Sequence, residues 1–219
     1  MKNKILVVAV HPDDETLGCG GTLLKHKANS DKIHWLICTT LNKNNSYYKK
    51  REKEISKVSK LYKFNSIHQL QFETTKVDQY SMSDLIKSIS IVINKVRPNI
   101  IYLPFKGDIH TEHKKIFEAS YSCTKSFRYP FIKKIYMMET LSETEFASSI
   151  KKDSFTPNTF VDISRFITKK IKIMKVFKSE IKKHPFPRSE KNIKALATFR
   201  GSTAGCKFAE SFMLLKKIS

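Results

Sequence analysis

The sequence predicts a Rossmann-like α/β fold, a mostly parallel sheet flanked by helices, in one domain spanning residues 1–219. Three observations carry this expectation. Short apolar, β-branched runs alternate with amphipathic helical patterns, the signature of βαβ units. A chain of 219 residues suits one sizeable core. No internal repeat, low-complexity tract or interdomain linker interrupts it.

The expected parallel strands are 5–10, 33–39, 67–72 and 99–103, each bounded by polar or turn residues. Between them Ile55, Val58, Leu61 and Tyr62 share one helical stripe. Leu85, Ile89, Val92, Ile93 and Val96 share another, which Pro98 ends. A fifth strand is expected over 132–138. Asp162 is expected to cap a helix whose apolar face carries Phe166, Ile167, Ile171, Met174, Phe177 and Ile181 and which ends near His184-Pro185. A shorter helix over 189–197, a turn at 201–205 and a last segment over 208–215 complete the chain.

Hydrophobic residues make up 40% of the chain, enough for a globular core. The formal net charge of +21 attracts nucleic acid, anionic membrane surfaces or phosphorylated ligands whatever the fold. The lysines form only doublets, such as Lys49-Lys50 and Lys182-Lys183, so a solvated basic surface and a general compositional bias account for them ahead of a polyanion groove. Cys19, Cys38, Cys123 and Cys206 form no C-x-x-C pair and indicate neither a disulfide framework nor a zinc knuckle, which fits a reducing cytoplasm. The apolar run 5–10 imitates a signal peptide but ends in acids without a cleavage site. No stretch has the roughly 18 apolar residues of a membrane span, so any membrane contact is expected to be peripheral.

Two motifs carry chemistry. His11-Pro12-Asp13-Asp14-Glu15 follows the first strand at its carboxyl end, where open α/β sheets bind ligands. One acid would suffice to complement a helix dipole; three beside a histidine call for a cation among them. Asp108-Ile109-His110-Thr111-Glu112-His113 follows the strand 99–103 at the corresponding end. A histidine from each loop and one carboxylate would leave an open position, the plan of hydrolytic zinc sites. His26, His34, His68 and His184 are read as structural.

With Gly18, Gly20 and Gly21, the first motif resembles the opening of the PIG-L or LmbE-like de-N-acetylases, and Asp108, His110 and His113 after Pro98 resemble that family's Asp-x-His-x-x-His element. The likeness covers essentially the whole chain. Arg51 and Glu54 resemble an Arg-x-x-Glu pair, and Arg200-Gly201 and Ala209-Glu210-Ser211-Phe212 resemble members tied to sugar and cell-surface glycan pathways. The resemblance implies that His11, Asp14 and His113 bind one zinc ion, with Fe(II) or another divalent metal as a substitute. It implies Asp13 as catalytic base and His110 as an imidazolium partner for the oxyanion. A family Asp between the two histidines is here Glu112, so Glu112 or Asp108 is expected to support His110. Arg51 would reach a phosphate or sugar hydroxyl, unless it is an ion pair with Glu52 or Glu54.

The implied activity is removal of an N-acetyl group from an amino sugar or its phospho-, nucleotide- or lipid-linked conjugate. An O-deacetylase or another amidase would use the same scaffold. A basic nucleic-acid-binding module is the rival of another class; it lacks a reading motif, and no nucleic-acid partner is expected. Gly18-Cys19-Gly20-Gly21 stands too far from the strand for a dinucleotide fingerprint.

Overall fold

The structure is a computed structural model that describes residues 2–148, 150 and 154–219. The first strand, β1 (Lys4–Ala9), leads to α1 (Asp14–Ala28), and the alternation continues through β2 (Lys32–Thr40), α2 (Tyr48–Tyr62), β3 (Ser66–Glu73), α3 (Met82–Val96), β4 (Ile100–Leu103), α4 (Thr111–Ser122) and β5 (Lys134–Met138). Then come β6 (Thr159–Asp162), α5 (Ile167–Met174), α6 (Glu190–Ala204) and β7 (Ala209–Lys217). The sheet order is β3-β2-β1-β4-β5-β7-β6. Strands β1 to β5 pair in parallel, and β7 runs antiparallel between β5 and β6. The Rossmann-like expectation therefore holds, with an antiparallel edge added.

Strand β1 is buried from Ile5 to Ala9, and its side chains feed two cores. Ile5, Val7 and Ala9 face α1, α5 and α6; Leu6 and Val8 face α3 and α4. The strand order reverses between β1 and β4, which are adjacent and in register at Ile5–Ile100 and Val7–Tyr102. The loops after these strands open on the crevice where doubly wound sheets bind ligands. No helix among the described residues is long and apolar enough to cross a membrane.

Helix α1 is kinked at Cys19, which has a φ of −145°. Glu210 of β7 restores the lost bonding, accepting the backbone N–H groups of Gly21 at 2.8 Å and Thr22 at 2.7 Å. Lys170 of α5 bonds Glu210 Oε1 at 2.7 Å and donates to the Leu17 carbonyl at 2.8 Å. Gly21 is required because a Cβ there would come within 2.7 Å of Ile163.

Three sequence expectations fail in the C-terminal third. Asp162 ends a strand and accepts from the Ser164 N–H at 2.8 Å, leaving Phe166 at the helix start. Helix α5 stops at Met174, although Phe177 is fully buried as its periodicity implies. The chain tightens there into i→i+3 turns, and Ser179 and Glu180 are captured by Arg51. Helix α6 runs to Ala204 and ends on Gly205 at a φ of 67°, so Gly201 is helical.

Two predictions follow from these contacts. Glu210→Ala strands a buried ammonium and two amides, and is expected to lower stability by about 3–5 kcal/mol in chemical denaturation. On β2, His34 Nδ1 lies 2.7 Å from Ser66 Oγ, and burial, reinforced by His68 and nearby lysines, holds its pKa down at about 4 against an ordinary 6.5. The folded state resists a proton that the unfolded chain accepts. Stability is therefore complete above pH 6.5 and lost as pH falls toward 4, and a denaturant titration of His34→Gln should show a flatter profile over that window.

Candidate metal centre and active site

The β1 loop and the β4 loop meet at the carboxyl edge of the sheet. Asp14 Oδ2 accepts the N–H groups of Val10 at 2.9 Å and His11 at 2.8 Å, so the backbone fixes this carboxylate. His113, wholly buried on α4, points Nε2 at Asp14 Oδ2 from 3.4 Å, and that nitrogen has no hydrogen-bond partner among the described residues. Its other nitrogen, Nδ1, donates to Asp108 Oδ2 at 2.8 Å, and Thr144 Oγ1 donates to Asp108 Oδ1 at 2.6 Å. His11 Nε2 donates to Glu112 Oε2 at 2.8 Å, which leaves His11 Nδ1 facing Asp14 at 4.0 Å.

His11, Asp14 and His113 thus form a group whose ligand atoms lie within 4.8 Å of one another. A second such group is His11, His110 and Glu112. The first fits a metal better, because each of its imidazoles is oriented by a carboxylate on the far nitrogen, the arrangement that fixes tautomer and ligand direction at metal sites. The Glu112 side chain, a methylene longer than Asp, reaches His11 and stays 3.9 Å from His110. Asp108 and Glu112 therefore brace the two histidines of the metal group, where sequence reasoning had one of them supporting His110. Burial disfavours a charge on His113, yet the Asp14 and Asp108 carboxylates win and hold its pKa up at about 9. A cation is wanted there, and a divalent ion would displace that proton.

Asp13 stands beside this group with a φ of 139°, a conformation that costs an L-residue about 1–3 kcal/mol. Its carbonyl accepts the Thr16 and Leu17 N–H groups at 2.9 Å, and its own N–H donates to Glu15 Oε2 at 3.1 Å. The Asp13 side chain meets Arg188 Nη1, 3.1 Å distant. Burial, then the Asp14 charge, push the Asp13 carboxyl well above its ordinary value, with Arg188 opposing.

His110 caps α4, its Nδ1 accepting the Glu112 N–H at 3.2 Å. That bond requires an unprotonated Nδ1, so the ring is a neutral donor through Nε2, and burial and the two neighbouring histidines lower its pKa further. The imidazolium that the resemblance implies would have to give up this cap. Arg51 is engaged rather than free: it donates to the Pro12 carbonyl at 3.1 Å and Ser179 Oγ at 3.1 Å, and it pairs with Glu180. Glu54 is 3.6 Å from its Nε.

Sequence reasoning missed Arg188, Glu180, Glu143 and Thr144. Glu180 Oε2 lies 3.2 Å from Arg188, so Arg51, Glu180, Arg188 and Asp13 form one chain of ion pairs. The signal for Arg188 was a lone arginine in the proline-punctuated stretch after α5, which carries no motif. These groups enclose a cavity of about 240 Å³ that includes His11, Asp13, Asp14, His110 and Glu143.

Two imidazoles and a carboxylate converging at the switch point of an α/β sheet, with a further carboxylate held beside them, define the class of one-metal α/β sites that hydrolases use. The chain belongs to the GlcNAc-PI de-N-acetylase (PIG-L) family, whose model matches residues 6–124. It is 23% identical over 228 residues to the diacetylchitobiose deacetylase of Thermococcus kodakarensis, covering 98% of this chain and 84% of that one. The structure of the N,N'-diacetylchitobiose deacetylase from Pyrococcus horikoshii superposes with a TM-score of 0.77 at 19% identity, over 98% of this chain and 84% of that one. GalB, the 4-carboxy-2-hydroxymuconate hydratase of Pseudomonas putida, gives 0.75 at 14% identity over 100% and 98%. The same fold thus carries different reactions, and the reaction must be argued from the site.

Asp108→Ala and Glu112→Ala are each expected to weaken divalent-metal affinity by about 10–100-fold, read by competition with a chelating dye. Unchanged affinity in both would remove their bracing role.

Proposed function

We propose that this chain is a zinc-dependent hydrolase that removes an N-acetyl group from an amino sugar or its conjugate. The observation that carries the reading is the buried His113 Nε2, with no hydrogen-bond partner among the described residues and 3.4 Å from Asp14 Oδ2, beside a separately anchored Asp13, in a member of a de-N-acetylase family. His11, Asp14 and His113 would hold the ion. Bound there, zinc lowers the pKa of a coordinated water from about 15.7 toward about 7 and polarises the amide carbonyl.

Asp13 accepts a proton as the water oxygen bonds to the carbonyl carbon, and its upward-shifted carboxyl suits a base that must later give the proton back. His110 donates Nε2–H to the developing oxyanion, as a neutral ring whose other nitrogen is occupied by the α4 cap. The C–N bond then breaks, the Asp13 proton goes to the nitrogen, and acetate and a free amine leave. Arg188 holds the Asp13 carboxylate in place throughout.

The test is acetate release by zinc-loaded protein from N-acetylated amino sugars; no release from any of them overturns the reading. Asp13→Ala is expected to cut turnover by about 10²–10⁴-fold with zinc content intact, whereas His113→Ala loses zinc. Equal zinc loss in the two variants, by metal analysis, would reverse the division of roles.

A further inference from the structure

Resting on that reading, we infer that the catalytic cavity continues into a second subsite for uncharged sugar units, in a groove between α2 and β3. The hollow there measures about 290 Å³. It shares Glu52, Ile55 and Gln69 with the catalytic cavity, so the two adjoin. Alone, the 240 Å³ cavity falls below the roughly 300–1,000 Å³ of small-molecule sites, and the two together fall within it.

The lining suits a glycan. Ser56 and Ser59 offer hydroxyls, Glu52 and Gln69 offer a carboxylate and an amide for vicinal hydroxyl pairs, and Ile55 and Ile67 give an apolar floor for the C–H face of a ring. At the doorway, Gln69 Nε2 donates to Glu52 Oε1 across 3.4 Å, a long contact that sugar hydroxyls can replace. Among the described lining residues the charged ones are Glu52 and Lys60, one of each sign, so the groove favours a neutral chain over a polyanion. Residues 52, 55, 56 and 59 share the face of α2 that Tyr48 and Arg51 begin at the catalytic cavity.

The groove assigns the enzyme to oligosaccharides of two or more units. The experiment measures kcat/KM for acetate release along N-acetylglucosamine and its β-1,4 oligomers from two to five units. The expected result is a rise of about tenfold between the monosaccharide and the tetrasaccharide, the effect of a few added hydrogen bonds. Ser59→Trp and, separately, Ser56→Trp fill the groove from exposed or half-exposed positions, and each should bring the tetrasaccharide-to-monosaccharide ratio close to one. A flat series in the unaltered enzyme, or an advantage that survives both substitutions, overturns the subsite while leaving the deacetylase reading intact. Absence of acetate from every member, the monosaccharide included, overturns both.

Discussion

The structure depends on burying like charges at one edge of a sheet. Asp13, Asp14, Glu15, Asp108 and Glu112 converge there, none more than 4% exposed. Left alone, they would protonate or expel one another, and burial does push Glu15 up to about 8. The fold answers with several partial cations: the N-termini of α1 and α4, the guanidinium of Arg188 on Asp13, and the imidazoles of His11 and His113. Asp14 and His113 face each other at this edge, and His113 Nε2 has no hydrogen-bond partner among the described residues, so this is where a cation would be accommodated.

The same constraint divides labour between chemically identical neighbours. Asp14 is fixed by backbone N–H groups and faces the histidines, whereas Asp13, at a positive φ, meets Arg188. A strained turn thus accompanies the different partners of these adjacent carboxylates. His110 and His113, three residues apart on α4, diverge for a similar reason. His113 is within the helix and has a carboxylate on Nδ1; His110 is the cap, and its Nδ1 is committed to the backbone.

The groups most legible in the sequence were those that local spacing brings together. The two motifs, the parallel strands before them and the stripes of α2 and α3 are set by contacts within a few residues of one another, and each was foreseen. The strap between α5 and α6 was not. Its apolar periodicity continues through Phe177 and Ile181 as a helix would, but bonds from Arg51 to Ser179 and Glu180, more than 120 residues distant in sequence, bend it over the site. Arg188 enters the site only because of that bend. Strand β6 was missed for a related reason: three of its four residues are half-exposed, Asp162 is exposed, and they form a strand by pairing with β7.

The charge of +21 raised the prospect of an acidic ligand, and the structure separates that charge from the chemistry. Helix α2 is the divider. Tyr48, Arg51, Glu52 and Ile55 face the cavity, while Lys50, Lys53 and Lys57, offset by two positions and so by about 200°, line a hollow on the other side with Lys172, Lys175 and Lys178. Of the ionisable side chains around the cavity, the carboxyls of Asp13, Asp14, Glu52, Glu143 and Glu180 outnumber the guanidiniums of Arg51 and Arg188, and both arginines already contact Glu180. Over a screening length of about 8 Å in physiological salt, lysines behind a helix have little effect on a group in the cavity. The charge of the whole chain therefore does not set the charge of the candidate site, whose rim carries more carboxyls than guanidiniums.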